Sequence, residues 1–146
     1  MIRRLVAAVA LATGVGSCAC ATPPTVDLYV TVTGVQNNRG HVLVAVCKRQ
    51  EFLQPHCLYQ ARVPSRSGSV LVVVGHVPPG IYAVQAFQDM NDDGRINRNF
   101  LGLPVEPIGF SRDPAFHFGP PSFDDSDFLL GPKGGQVTVV LHDYAR

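Results

Sequence analysis

The chain has 146 residues, 46% of them hydrophobic and 16% charged, with a formal net charge of +1. This is one domain's worth of sequence, and its valine-rich apolar content is enough to bury a core. Of the twelve Lys and Arg, Arg3 and Arg4 stand at the extreme N-terminus; the other ten are scattered against eleven Asp and Glu, Trp is absent, and nothing points to a nucleic-acid partner.

Arg3 and Arg4 precede an apolar run from Leu5 to Val15 and then a region of small residues, the pattern of a secretory signal peptide. The run is about eleven residues, short of the roughly twenty a spanning helix needs, so no transmembrane segment is expected in the mature chain. Ala19-Cys20-Ala21 fits ordinary signal peptidase, which makes residues 1–21 the signal, 22–26 a short Thr/Pro linker and 27–146 the mature domain. Val15-Gly16-Ser17-Cys18 also fits a lipobox, and on that alternative Cys18 becomes the lipid-modified first residue. The expected location is periplasmic or secreted, or else the envelope as a lipid-anchored lipoprotein.

Along the mature chain the period-two pattern prevails. Val26, Leu28, Val30 and Val32 alternate with Asp27, Tyr29, Thr31 and Thr33, which predicts a half-buried strand. Gln36-Asn37-Asn38-Arg39-Gly40 is a turn, followed by the more fully buried strand His41–Cys47. Cys47 and Cys57 are the two cysteines left after ordinary cleavage, and an even count in an exported chain predicts a disulfide. The sharper alternative is a soft-metal or redox site with His56, although the spacing matches no common zinc motif. Strands are expected over Leu58–Val63, Val70–Val77 and Ile81–Gln88, the last two joined by the turn Pro78-Pro79-Gly80. A final strand, Gln136–His142, follows the turn Gly131–Gly135. The expected fold class is all-β: a single immunoglobulin-like sandwich of about seven short strands.

Between the last two strands lie the two segments that carry chemistry. Asp89, Asn91, Asp93, Arg95 and Asn97 fall on the odd positions of a loop with Gly94 at the sixth, the EF-hand arrangement in which oxygens at 1, 3, 5, 7 and 9 wrap Ca²⁺, position 7 through its backbone carbonyl. Position 12 is Phe100, so the bidentate carboxylate that closes an EF-hand is missing, and a strand rather than a helix precedes the loop. The alternative is an Asx-rich turn, in which Asp and Asn side chains accept nearby N–H groups and Gly94 supplies positive φ. From Arg98 to Leu130 the periodicity lapses into a long Gly- and Pro-rich insertion, and a structureless connection of that length is usually functional. Glu106 is the one carboxylate between Asp93 and Asp113, which makes it the candidate closing ligand or, alternatively, a cap for local N–H groups. The Asp124-Asp125-Ser126-Asp127 run is either a second cation site or a solvated turn.

Val77-Pro-Pro-Gly-Ile-Tyr-Ala-Val84, Ala86-Phe-Gln-Asp-Met-Asn-Asp-Asp-Gly-Arg-Ile-Asn97, Gly102-Leu-Pro-Val-Glu106, Gly109-Phe-Ser111 and Gly119-Pro-Pro-Ser-Phe123 together resemble the bacterial exported family catalogued as domain of unknown function 2141. The resemblance runs from about Asp27 to Tyr144, and the motifs in order are far more specific than any one alone. It implies an exported small β domain and brings no established activity or catalytic residues. The Pro-Pro-Gly-x-Tyr turn also resembles transthyretin-like and Cna-B-type sandwiches, a likeness at the level of fold. Gln88 stands where the family more often carries His, and Arg98 lies in a segment that is commonly more neutral, which weakens any histidine-assisted site before the loop.

The expected function is a non-enzymatic, exported binding module whose acidic loop takes Ca²⁺ and orders the insertion against an unknown envelope or extracellular ligand. A metal-independent structural or assembly module of the cell envelope is the alternative, and a glycan-active hydrolase the third. Ser111 lacks a nucleophile-elbow pattern, and His117, between Phe116 and Phe118, is expected to be partly buried and structural. A glycan face needs exposed aromatics, for which Tyr29, Tyr59, Phe110, Phe116 and Phe123 are the candidates.

Overall fold

The computed structural model describes residues 20–146. The expected signal peptide lies outside these residues except for Cys20 and Ala21, both exposed, and so does the lipidation candidate Cys18.

Eight strands and one helical turn follow in chain order: β1 (Val26–Val35), β2 (His41–Cys47), β3 (Tyr59–Pro64), β4 (Gly68–Val77), β5 (Gly80–Asp89), β6 (Ile108–Phe110), α1 (Phe123–Ser126), β7 (Asp127–Leu130) and β8 (Gly135–Val140). They form two sheets, one ordered β4-β1-β8 and the other β3-β2-β5-β6 with β7 also paired to β5. β8 runs parallel to β1, and every other pairing is antiparallel. The result is an all-β sandwich, as the alternation predicts.

Alternation explains the layer between the sheets. Leu28, Val30 and Val32 of β1 lie beside Val74, Val72 and Val70 of β4 on the inner side of one sheet, and Val42, Val44 and Val46 of β2 with Tyr82, Val84 and Ala86 of β5 meet them from the opposite sheet. β-branched side chains suit this role because they are stiff at χ1 and pack on a pleated surface. The turn between β4 and β5 is pinned by the Tyr82 hydroxyl, which donates to the Pro78 carbonyl at 2.9 Å.

β2 and β5 bury their other face as well, and this is where the insertion belongs. Cys47 and Ala83 of those strands pack with Phe52, Cys57, Ile108, Phe110 and Phe123 in a second core outside the sandwich. The expectation of a structureless stretch from Arg98 to Leu130 is corrected here: it supplies two strands and a helical turn. β6 pairs with Gln85–Phe87 and β7 with Gly80–Ala83, so the two lie end to end along one edge of β5. Strands of three and four residues are too short to print a period-two pattern, which is why periodicity misses them. β6 also touches the other sheet, through bridges from Ile108 to His142 and from Ser111 to Val139. Gly109 allows that approach, since a Cβ there would stand 2.0 Å from the Val140 carbonyl oxygen.

Among the described residues no helix is long and apolar enough to cross a membrane.

Candidate functional site at the end of β5

β5 ends by delivering Asp89 opposite His41, the first residue of β2. The β1–β2 turn is packed tightly against this point. Gly40 has φ +66°, and a Cβ on it would lie 1.8 Å from the Asp89 carbonyl oxygen, so only glycine serves there. Gln88, fully buried, ties the same turn down. Its Oε1 accepts from the Gln36 N–H at 3.0 Å, and its Nε2 lies within bonding distance of the Asn37 and Arg39 carbonyls at 3.0 and 3.2 Å.

The loop that follows is organised by its own carboxylates. Asp89, 1% exposed, accepts the Asp93 N–H on Oδ1 at 3.2 Å and the Gly94 N–H on Oδ2 at 2.7 Å. The Asp93 carboxylate accepts the Arg95 N–H at 2.9 Å, and its other oxygen accepts from the Asn91 side-chain amide at 3.1 Å. Asp92 and Gly94 take positive φ, +59° and +73°, which turns the chain sharply enough for these contacts. Glu106, 3% exposed, returns from the insertion and latches both ends of the loop, accepting the Met90 N–H at 3.0 Å and the Asn97 N–H at 3.1 Å.

The electrostatics follow from this geometry. Burial pushes the Glu106 carboxyl above its ordinary value; the N–H groups of Asn97 and Met90 act against that, and the neighbouring charges of Asp89 and Asp93 push it further up. Asp93, in open solvent, is held below its ordinary value chiefly by the Arg95 N–H. His41 clamps the loop from outside, its Nδ1 lying 2.5 Å from Asp92 Oδ1, with Arg62 behind it at 3.5 Å from Nε2.

All the loop residues singled out in the sequence therefore meet in one place, and Glu106 reaches them across sixteen residues. Among the described residues no three His, Cys, Asp or Glu side chains cluster as a metal site by themselves. A hard cation here would have to draw on the amide oxygens of Asn91 and Asn97 and the Arg95 carbonyl alongside the carboxylates. Each carboxylate oxygen of Asp89 and Glu106 has accepted one N–H, and an ionised carboxylate offers about four lone-pair sites, so capacity remains. Sequence inspection missed His41, fifty-one residues from Asp92, and Gln88 as a tether; a polar residue on an inward strand position was the available signal for the latter.

The remaining candidates separate clearly. Cys47 and Cys57 form the expected disulfide, with Cα atoms 5.1 Å apart, so their sulfurs are not metal ligands, and His56 is exposed. In the 124–127 run Asp124 pairs with Arg49, Asp127 pairs with Arg112 at 3.2 Å, and Asp125 forms a capping box with Ser122, so each acid is engaged separately. Ser111 is fully buried, donating to the Ser126 carbonyl and accepting the Val84 N–H. His117 is exposed, contrary to expectation. Of the proposed glycan-facing aromatics, Phe110 and Phe123 are buried because they anchor the insertion, Tyr59 and Phe116 are half-buried, and Tyr29 alone is exposed.

Fold and site together define a disulfide-bonded all-β sandwich with an acidic loop latched by a distant glutamate. Residues 30–138 match the family described as "Uncharacterized protein conserved in bacteria (DUF2141)", and the chain belongs to that family. No curated protein and no solved structure matches it significantly.

Proposed function

We propose that this chain is an exported, non-enzymatic binding module in which Ca²⁺ at the Asp89–Asn97 loop orders the adjacent insertion into a face for an envelope or extracellular ligand. The carrying observation is the pair Asp89 and Glu106. Both are buried, they are close enough for one charge to raise the pKa of the other, and neither is ion-paired with a basic side chain among the described residues. Buried like charges without a counter-ion are costly, and a hard cation held by oxygens offsets that cost. The ligand set comprises Asp89, Asn91, Asp93, the Arg95 carbonyl, Asn97 and Glu106. The disulfide supports an oxidising compartment, periplasmic or extracellular.

Thermal unfolding in chelator and in Ca²⁺ tests this. With a dissociation constant of about 0.1 mM, as in extracellular modules, about 1 mM Ca²⁺ adds roughly 1.4 kcal/mol, a rise of several degrees in Tm. Asp89→Ala/Asp93→Ala abolishes the shift. No shift at concentrations up to about 10 mM, above the range of such modules, removes calcium from the picture. The alternative is then a metal-independent structural or assembly module of the envelope, favoured by the hydrogen bonds that already close the loop. Turnover of a glycan, lost in both Asp89→Ala and Glu106→Ala, would instead identify a hydrolase.

A further inference from the structure

Immediately after the acidic loop the chain makes a small, tightly bonded finger. Arg98 bridges to Pro104, the Asn99 N–H donates to the Leu103 carbonyl at 2.9 Å, and the Gly102 N–H donates back to the Asn99 carbonyl at 2.9 Å. The Asn99 side-chain oxygen accepts the N–H groups of both Leu101 and Leu103, at 2.9 and 3.1 Å, and Gly102 takes φ +80° to close the turn. With so many bonds inside one short turn the finger is stiff, and it holds its apolar side chains outward. Phe100 is 95% exposed and Leu101 68%, with Leu103 and Val105 exposed behind them.

A cation stands beside that tip. Arg98 is exposed and in no ion pair among the described residues. The Arg98 guanidinium donates to the Gly102 carbonyl at 2.9 Å, which fixes its charge beside the apolar point.

From this we infer that the 98–104 finger is a membrane-docking element: Phe100 and Leu101 enter the boundary of an anionic lipid bilayer while Arg98 meets its headgroups. A lipid surface suits the tip better than a protein does. A stable protein partner needs roughly 800 Å² of complementary surface from each side, which a convex point cannot offer. A fluid interface needs no matching shape and rewards buried apolar area plus cationic charge. Two apolar side chains and one arginine give weak, reversible docking, since firm anchoring takes more than one such signal. The docking does not depend on calcium at the neighbouring loop.

The test is co-sedimentation of the processed chain with phosphatidylglycerol-containing vesicles and with neutral phosphatidylcholine vesicles, each in Ca²⁺ and in chelator. The chain starts at Thr22, so that no acyl chain on Cys18 contributes. The expected result is binding to anionic vesicles that weakens on neutral ones and falls on the order of tenfold for each of Phe100→Ser and Leu101→Ser. Arg98→Gln weakens anionic binding alone. Both serine variants keep the wild-type unfolding midpoint, because their side chains are exposed. Binding that is equal in chelator and Ca²⁺ supports docking even where the calcium proposal fails. Absence of vesicle binding in all four conditions overturns the inference, as does binding unchanged by the tip variants. Vesicle-independent self-association that is lost on Phe100→Ser overturns it in favour of contact with a second copy.

Discussion

Glu106→Ala lowers the unfolding free energy by about 2–4 kcal/mol, because it strips the charged acceptor from two partly buried backbone N–H groups at once. Met90 and Asn97 lie at opposite ends of the acidic loop, and Glu106 is the side chain that accepts from both. The amides of these two residues should therefore speed up in the variant by more than those of β1 and β4, which rise only as far as the lower global stability dictates. A denaturant midpoint equal to wild type, with unchanged exchange at Met90 and Asn97, would refute the latch. Glu106→Gln loses less, since its amide oxygen still accepts one of the two N–H groups while its NH₂ faces the other.

The same residue sets a pH dependence whose sign follows from its raised pKa. The folded state holds the Glu106 proton more tightly than the unfolded chain, so between the ordinary value of 4.5 and the folded value the native state binds more protons. Stability from this group is fully present below that window and is lost as pH rises through it. Glu106 is thus least favourable where its carboxylate is ionised. Glu106→Gln removes this part of the slope, which unfolding curves collected across the window in chelator will show directly.

Reduction of the Cys47–Cys57 disulfide is the second large effect. The two residues are ten apart, and opening a loop of about eleven residues releases chain entropy worth roughly 2.8 kcal/mol to the unfolded state, a fall of about 10 °C in Tm for a domain of this size. The consequence is also local. Both cysteines are buried with Phe52, Phe110 and Phe123, the side chains that hold the insertion on the outer face of the sheet. Reduced protein should lose protection in β6 and around α1 before the sandwich opens. Unfolding that coincides in oxidised and reduced protein, with intact protection in β6, would show that the aromatic cluster alone holds the insertion.

The sandwich was largely legible in advance. β1, β2, β4, β5 and β8 announce themselves because alternation along a strand is a local property: successive side chains point to opposite faces, and one face must be buried. Cys47 and Cys57, the two cysteines outside the expected signal peptide, leave one pairing, and Pro78-Pro79-Gly80 can only turn. The odd spacing of oxygens from Asp89 to Asn97 likewise depends on neighbours a few residues apart, and those residues do gather at one end of β5.

What only the tertiary structure decided is set by partners distant in sequence. Glu106 stands out as a lone carboxylate, but that it accepts from both ends of the loop depends on where β6 returns beside β5. His41 reaches Asp92 because β2 pairs with β5 in a register that places His41 opposite Asp89. β6 and β7 exist because β5 offers a free edge, not because their few residues favour strand. Phe100, which stands where an EF-hand carries its closing carboxylate, and Phe110 are the same residue type ten positions apart. One stands in solvent and the other in a core, since burial is decided by what packs against a side chain, and no local pattern encodes that.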